Sequence, residues 1–289
     1  MKVVVYTLNA FAKTENGGNP SGVVLDAEFL SEFKMQDIAK KVGFSETAFI
    51  QKSDVSDYKI RFFTPKTEVD LCGHATIAAF SLLAQKGIIE IGEYTQETKA
   101  GILMVENHQD ETIYMCQNRP TYYEEIDKQE LADSLNINES IIMQNYPTQI
   151  VSTGLRDIII PINTLNDLHE IKPNFTKIAS VSKKYNVIGY HVFTLDTKYS
   201  STAHCRNFAP LYEITEEAAT GTSNGALSCY LFRYGIISKN TARYLVFEQG
   251  YSMKRPSEIL TSLDIQNKEI IGVKVGGVAR YISKMEIDL

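Results

Sequence analysis

Two short stretches of this chain set small residues directly before an apolar run. They are Cys72-Gly73-His74-Ala75 and Thr220-Gly221-Thr222-Ser223. Ile77, Ala78, Ala79, Phe80, Leu82, Leu83 and Ala84 follow the first; Ala226, Leu227, Cys229, Tyr230, Leu231 and Phe232 follow the second. Neither predicted helix keeps a polar face, so both are expected to be buried all round. A buried helix start leaves its first N–H groups without partners and carries positive potential. An anion held by those N–H groups answers both demands, and glycine lets the anion approach. The plainer alternative in the second stretch is that Thr222 or Ser223 caps its own helix. Cys72 and Gly73 offer no good cap in the first. Neither turn holds a lysine or arginine, so the backbone must do most of the binding, and a carboxylate is the expected ligand. Neither is a phosphate loop: GxxxxGK[ST] is absent, and no GxGxxG follows a strand with an acidic residue about 20 positions on.

Other chemistry is thinly supported. The four cysteines, Cys72, Cys116, Cys205 and Cys229, form no CxxC, and the five histidines form no HExxH or HxH. No metal site is expected, since metals need convergent ligands. Free thiols in a chain of this size fit a reducing compartment.

The elements that must position the two turns read as mixed α and β. Val3–Phe11 and Gly22–Leu25 read as strands, with Asn16-Gly17-Gly18-Asn19-Pro20 a loop between them. Leu30, Phe33, Ile38, Ala39 and Val42 mark a helix closed by Gly43. Thr47–Ile50 and Lys59–Thr64 read as strands, and His74–Lys86 as a helix ended by Gly87. Asp127-x-x-Glu130 is a capping box opening a helix to about Leu135, and Asp157–Ile162 is an apolar strand.

These signals repeat. Arg61-Phe62-Phe63-Thr64-Pro65 is echoed by Arg206-Asn207-Phe208-Ala209-Pro210. Gly73 precedes Gly87 by 14 residues and Gly221 precedes Gly235 by 14, and each second glycine is followed by Ile-Ile. The natural reading is two similar halves. Residues 1–119, completed by a C-terminal strand at 277–289, are expected to form the first, and residues 120–276 the second.

At 289 residues, with 44% hydrophobic and 22% charged, the chain is globular and large enough to build its own core. A formal charge of −6 makes sequence-independent nucleic-acid binding and an anionic membrane surface poor expectations. No apolar run approaches the roughly 18–20 residues that span a bilayer. The opening MKVVVYTLNAFA imitates a secretory leader, but Thr7 and Asn9 interrupt it and its β-branched run reads as a first strand. A cytoplasmic protein with a small-molecule partner is expected.

Six ordered motifs carry a resemblance. They are Gly18-Asn19-Pro20-Ser21-Gly22, Gly43-Phe44-Ser45-Glu46-Thr47-Ala48-Phe49, Cys72-Gly73-His74-Ala75-Thr76, Ser152-Thr153-Gly154-Leu155-x-Asp157, Ala219-Thr220-Gly221-Thr222, and Glu248-Gln249-Gly250-Tyr251-x-Met253-x-Arg255-Pro256-Ser257. Over nearly its whole length the chain resembles the PhzF-type phenazine-biosynthesis family, which shares its fold with diaminopimelate epimerase and proline racemase. The resemblance implies an α+β fold of two similar halves, each a barrel-like mixed sheet around a central apolar helix, with the active site in the cleft between them. It implies a cofactor-independent isomerase that moves a proton on a small cyclic amino or hydroxy acid, and a homodimer.

It assigns the acid/base role to Glu46. Glu46 follows a helix and opens an apolar strand, so burial is expected to raise its pKa toward working pH, although the residue alone would read equally as a helix-end or surface glutamate. The family's histidine maps onto His74. Its aspartate maps onto Glu217, one methylene longer, and its serine onto Thr222, which adds a methyl. Asn19, Cys72, Gly73, Ala75, Thr220 and Gly221 are the expected substrate contacts. The racemases of this fold carry two cysteines, one before each glycine turn. Cys72 stands at the first position and Thr220 at the second, which leaves open a Cys/Thr-type dehydratase or epimerase like those acting on proline analogues. A non-catalytic binder of small acids is the third reading.

Overall fold

A computed structural model describes residues 2–289 of the chain. The chain divides into two compact units, residues 1–116 with 276–289, and residues 117–275.

In the first unit the chain runs β1 (Lys2–Ala10), β2 (Asn19–Val24), α1 (Glu32–Val42), β3 (Glu46–Gln51), β4 (Tyr58–Phe63), β5 (Glu68–Val69), α2 (Gly73–Gln85), β6 (Gly92–Thr98), β7 (Gly101–Asn107) and β8 (Ile113–Gln117). The second unit runs β9 (Thr121–Glu125), α3 (Lys128–Leu135), β10 (Gln149–Ser152), β11 (Arg156–Pro161), α4 (Leu165–Glu170), α5 (Phe175–Tyr185), β12 (Gly189–Thr194), β13 (Ala203–Ala209), β14 (Ile214–Glu217), α6 (Gly221–Arg233), β15 (Leu245–Gln249), β16 (Ser257–Gln266) and β17 (Glu269–Gly277). The last strand, β18 (Ala279–Asp288), returns to the first unit and pairs antiparallel with β1.

Local signals explain most boundaries. Ser31 accepts a hydrogen bond from the Lys34 N–H to open α1, and Gly43 closes it in the left-handed conformation at φ 74°, which a residue without a β-carbon adopts at little cost. Asp127 opens α3 by accepting from the Glu130 N–H. One expectation fails: Asn19 and Pro20 belong to β2, not to a loop. Pro20 faces Asn9 of β1, and the ladder to β3 begins only at Ser21, so the missing N–H falls at the strand's start, where a ladder tolerates it.

The repeat is a structural one. In the first unit β1 and β2 are antiparallel, β2 and β3 parallel, β3 and β4 antiparallel, and β4 and β6 parallel. In the second unit β10–β11, β11–β12, β12–β13 and β13–β15 follow the same order of senses. The echoed arginines have one job. Arg61 grips Glu68 with Nε and Nη2 at 2.7 Å each, and Arg206 grips Glu216 with the same two nitrogens at 2.9 Å. A bidentate fork of this kind fixes the short strand that leads into each glycine turn.

Each unit wraps its sheet around one helix. α2 touches β1, β2, β3, β7 and β18, strands from both ends and the middle of its sheet, so the sheet must curl about it. Every α2 residue from His74 to Leu83 is buried, including the polar Thr76 and Ser81. Burying Ile77, Phe80, Leu82 and Leu83 contributes about 1.5–3 kcal/mol apiece. α6 is buried from Ser223 to Leu231 and packs on β10, β11, β12 and β16.

Register shows where the halves differ. Ser21 pairs with Glu46, and Asp157 pairs with Gly189, so Gly189 occupies in the second unit the place of Glu46 in the first. A β-carbon at 189 would run into the Phe208 carbonyl oxygen and come within 2.9 Å of Ala209 Cα. Gly189→Ala is expected to destabilise the protein by about 1–3 kcal/mol, because rigid backbone must move to admit the methyl. A urea-unfolding midpoint within error of wild type would show that the strands have room to part.

Candidate active site

Six of the sequence-expected residues meet at the start of α2. Gly43 stops α1, two residues turn the chain, and Glu46 becomes the first residue of β3, lying beside Ser21 of β2. β5 then delivers Cys72, the N-cap residue of α2, and His74 stands in the helix's first turn. Glu46 Oε2 lies 3.0 Å from His74 Nε2, with side chains 18% and 8% exposed respectively. The contact is an ion pair when the ring is protonated. Ser45 Oγ is 3.3 Å from the same ring nitrogen, and Asn19 Nδ2 is 3.4 Å from Nδ1. Cys72 Sγ sits 3.5 Å from Nδ1. Gly73 and Ala75 complete the turn; a β-carbon at 73 would meet only Met115 Sδ, at an ordinary 3.5 Å. The Cys72 side chain does not cap the helix.

The electrostatics correct one expectation. Burial does push the Glu46 carboxyl up, but the His74 charge and hydrogen bonds from His74, Ser45 and Cys72 outweigh it and hold it below the ordinary glutamate value. The apolar surroundings of Glu46 alone would raise it; His74, 28 positions away in sequence, reverses the shift. Burial lowers His74, yet the negative charges of Cys72 and Glu46 and hydrogen bonds to both hold it well above the usual histidine value. Burial and the Glu46 charge raise the Cys72 thiol, against a smaller opposing effect from His74. At neutral pH Glu46 is therefore a carboxylate, whose charge favours a protonated His74 ring and disfavours a Cys72 thiolate. Glu46, Cys72 and His74 bring ligand atoms within 4.8 Å of one another, a donor set able to hold a divalent metal. A metal would first have to displace the protons on the ring and the thiol.

The second unit has its own constellation at α6. Thr220 is the N-cap residue, but its side chain does not cap; Oγ1 donates instead to Glu217 Oε2 at 2.8 Å. Gln249 ties the turn together. Its Nε2 donates to the Glu217 carbonyl at 2.8 Å and to Thr220 Oγ1 at 3.0 Å, and its Oε1 accepts from the Thr220 N–H at 3.2 Å. Thr222 and Ser223 lie inside the helix rather than capping it, which removes the plainer reading of this turn. The Thr222 carbonyl accepts from Thr153 Oγ1 at 3.3 Å, and Ser223 Oγ donates to Asp157 Oδ2 at 2.7 Å. So Glu217, Thr220, Gly221 and Thr222 share one turn. Ser45, Gln249, Asp157 and Ser223 are further polar neighbours of the two turns; Ser45, Gln249 and Asp157 stand within the family-like motifs, which is the one sequence signal that points to them.

A curled mixed sheet around a buried helix, twice over, with polar residues gathered at the helix starts, defines the epimerase-like α+β class. The family model for phenazine biosynthesis-like proteins, PhzC-PhzF, matches residues 8–285, and the chain belongs to that family. It is 35% identical to a Clostridium acetobutylicum protein named as an uncharacterized isomerase, covering 100% of this chain and 99% of the relative. A Bacillus anthracis PhzF-family structure superposes with a TM-score of 0.91 at 32% identity, covering 100% of both chains. A hydroxyproline epimerase from Agrobacterium vitis shares the fold at a TM-score of 0.64 and 11% identity. The protein is an isomerase. No helix among the described residues is long and apolar enough to cross a membrane.

The Glu46–His74 pair has a pH signature. The lowered Glu46 contributes stability that is present above its unfolded value of 4.5 and is lost as pH falls through the folded one. The raised His74 contributes stability fully present below 6.5 and lost as pH rises through its folded value. In Glu46→Gln, the His74 ring protons followed by NMR are expected to titrate at lower pH than in wild type. An unchanged midpoint would mean that Glu46 is not the partner holding the ring charged.

Proposed function

We propose that this isomerase moves a proton between two carbons of a small cyclic amino or hydroxy acid, with Glu46 as the acid/base and no cofactor. One observation carries the reading: a carboxylate and a histidine ring 3.0 Å apart, both largely out of water, at the uncapped start of α2. Glu46 begins the cycle ionised and so able to take a proton from carbon. The electron pair left behind delocalises into the substrate, and the developing negative charge is favoured by the His74 imidazolium and the α2 N–H groups. The proton returns at a different carbon, which restores the carboxylate with no net oxidation. The substrate's carboxylate is taken at a glycine turn where no side chain caps the helix, at Gly73 and Ala75 of α2 or at Gly221 and Thr222 of α6. Asn19 holds the His74 ring, and Glu217, with Thr220 and Gln249, shapes the α6 turn.

The Cys72 Sγ to His74 Nδ1 distance of 3.5 Å favours a second reading, in which a Cys72 thiolate takes the proton. Against it, burial raises the thiol, and the Thr220 hydroxyl is engaged by Glu217. Deuterium wash-in from D2O across a panel of cyclic and linear amino and hydroxy acids separates the readings. Glu46→Gln is expected to lower exchange about 10²–10⁴-fold while the fold is kept, because the amide matches the acid in shape but carries no transferable proton. Cys72→Ala is expected to stay within a few-fold of wild type, losing only volume and a weak donor. Equal losses in the two variants would favour the thiol, and no exchange of any ligand would favour a binder without catalysis.

A further inference from the structure

The motif Ser152-Thr153-Gly154-Leu155-x-Asp157 places a carboxyl group where the active-site reading has no use for one. Asp157 is the second residue of β11 and only 2% exposed. Its Oδ2 accepts a hydrogen bond from Ser223, the third residue of α6, and its Oδ1 is buried with no partner at all. No cation faces it. The neighbouring Arg156 stacks on the Tyr123 ring, 4.1 Å from its centroid. Gly189 of β12 and Val151 of β10 flank Asp157 in register and bring no charge. Among the described residues, the charged group acting on it is Glu217 at the end of β14, and it repels. His191 of β12 reaches the same network through Asn207 of β13, whose Nδ2 is 3.2 Å from both His191 Nδ1 and Ser223 Oγ. Burial pushes His191 down to about 4, so it is neutral.

A buried carboxyl with one bare oxygen, no cation and an acidic neighbour is costly to ionise. Burial, only partly offset by Ser223, raises its pKa from 3.8 to about 7. While the proton stays on, the α6 start keeps its positive potential for an outside anion, since no side chain of Thr220 caps it. Once the proton leaves, an internal carboxylate sits against the same first turn and repels a second negative charge. We propose that Asp157 is a positioning residue whose ionisation sets the affinity of the α6 turn for carboxylate ligands: strong when Asp157 is protonated, weakened when it is not. This rests on the reading that the isomerase binds a carboxylate at that turn, and it adds a pH-dependent gate on that binding.

Two measurements test it. Carbon-13 NMR of the aspartate carboxyls in the wild-type protein needs no ligand and no variant. The Asp157 carbon is expected to titrate near neutrality, and a midpoint below about 5 overturns the proposal. Calorimetry then compares benzoate with neutral benzamide at about pH 6 and about pH 8.5. Benzoate is expected to bind about tenfold more weakly at the higher pH, benzamide without pH dependence, and Asp157→Asn is expected to hold benzoate equally well at both. The same pH dependence in Asp157→Asn as in wild type overturns the role of Asp157 while leaving the carboxylate reading intact. Benzoate binding at no pH overturns the carboxylate reading and the gate together, whatever the NMR midpoint.

Discussion

A helix buried on every side carries an electrostatic demand into the interior of a fold. Its first turn presents N–H groups and positive potential where water is scarce, and something negative or polar has to meet them. In this protein α2 and α6 both make that demand, and neither N-cap side chain answers it. The surroundings of the two starts are therefore determined by what each unit offers in place of a cap. The first unit offers Glu46 at the head of β3, balanced by His74 from the helix itself. The second offers Glu217 and Gln249 around Thr220, with Asp157 beneath Ser223. The strands, the arginine forks and the crossover helices serve to bring those groups to those ends.

The two units thus solve one problem with different charges. In the first, a cation lies next to the carboxylate, and the pair is ionised despite its burial. In the second, the buried carboxyl has no cation and burial decides its state. Neighbours rather than depth alone separate the two, since both carboxyls are largely removed from water. A repeated backbone has become two chemically unlike environments through a handful of side chains.

Much of this was legible in residue order. The apolar runs after Gly73 and Gly221, the closing glycine at 43 and the capping aspartate at 127 each act through neighbours a few residues away, and each stands where its spacing put it. The echo of Arg61 by Arg206 and the matched glycine intervals were enough to read two similar halves. What could not be read depends on partners far apart in sequence. Glu46 and His74 are 28 positions apart, so the counter-charge that reverses the effect of burial is invisible in the apolar segment around Glu46. Asp157 and Ser223 are 66 apart, and nothing in either motif announces the other. Pro20 read as a loop because strand-breaking is its usual effect, whereas β2 takes it at the one end where the missing N–H costs nothing.

Gly189 also limits which side chains the second half can hold. It stands where Glu46 stands in the other half, and its backbone is pressed against the Phe208 carbonyl. Glutamate differs from glycine by a β-carbon and more, so an acid at 189 would have to push β12 away from β13. The asymmetry is held by sterics: with β12 and β13 this close at Gly189, the second half has no room for a counterpart of Glu46. The acid that pairs with that position is Asp157, on the strand beside Gly189.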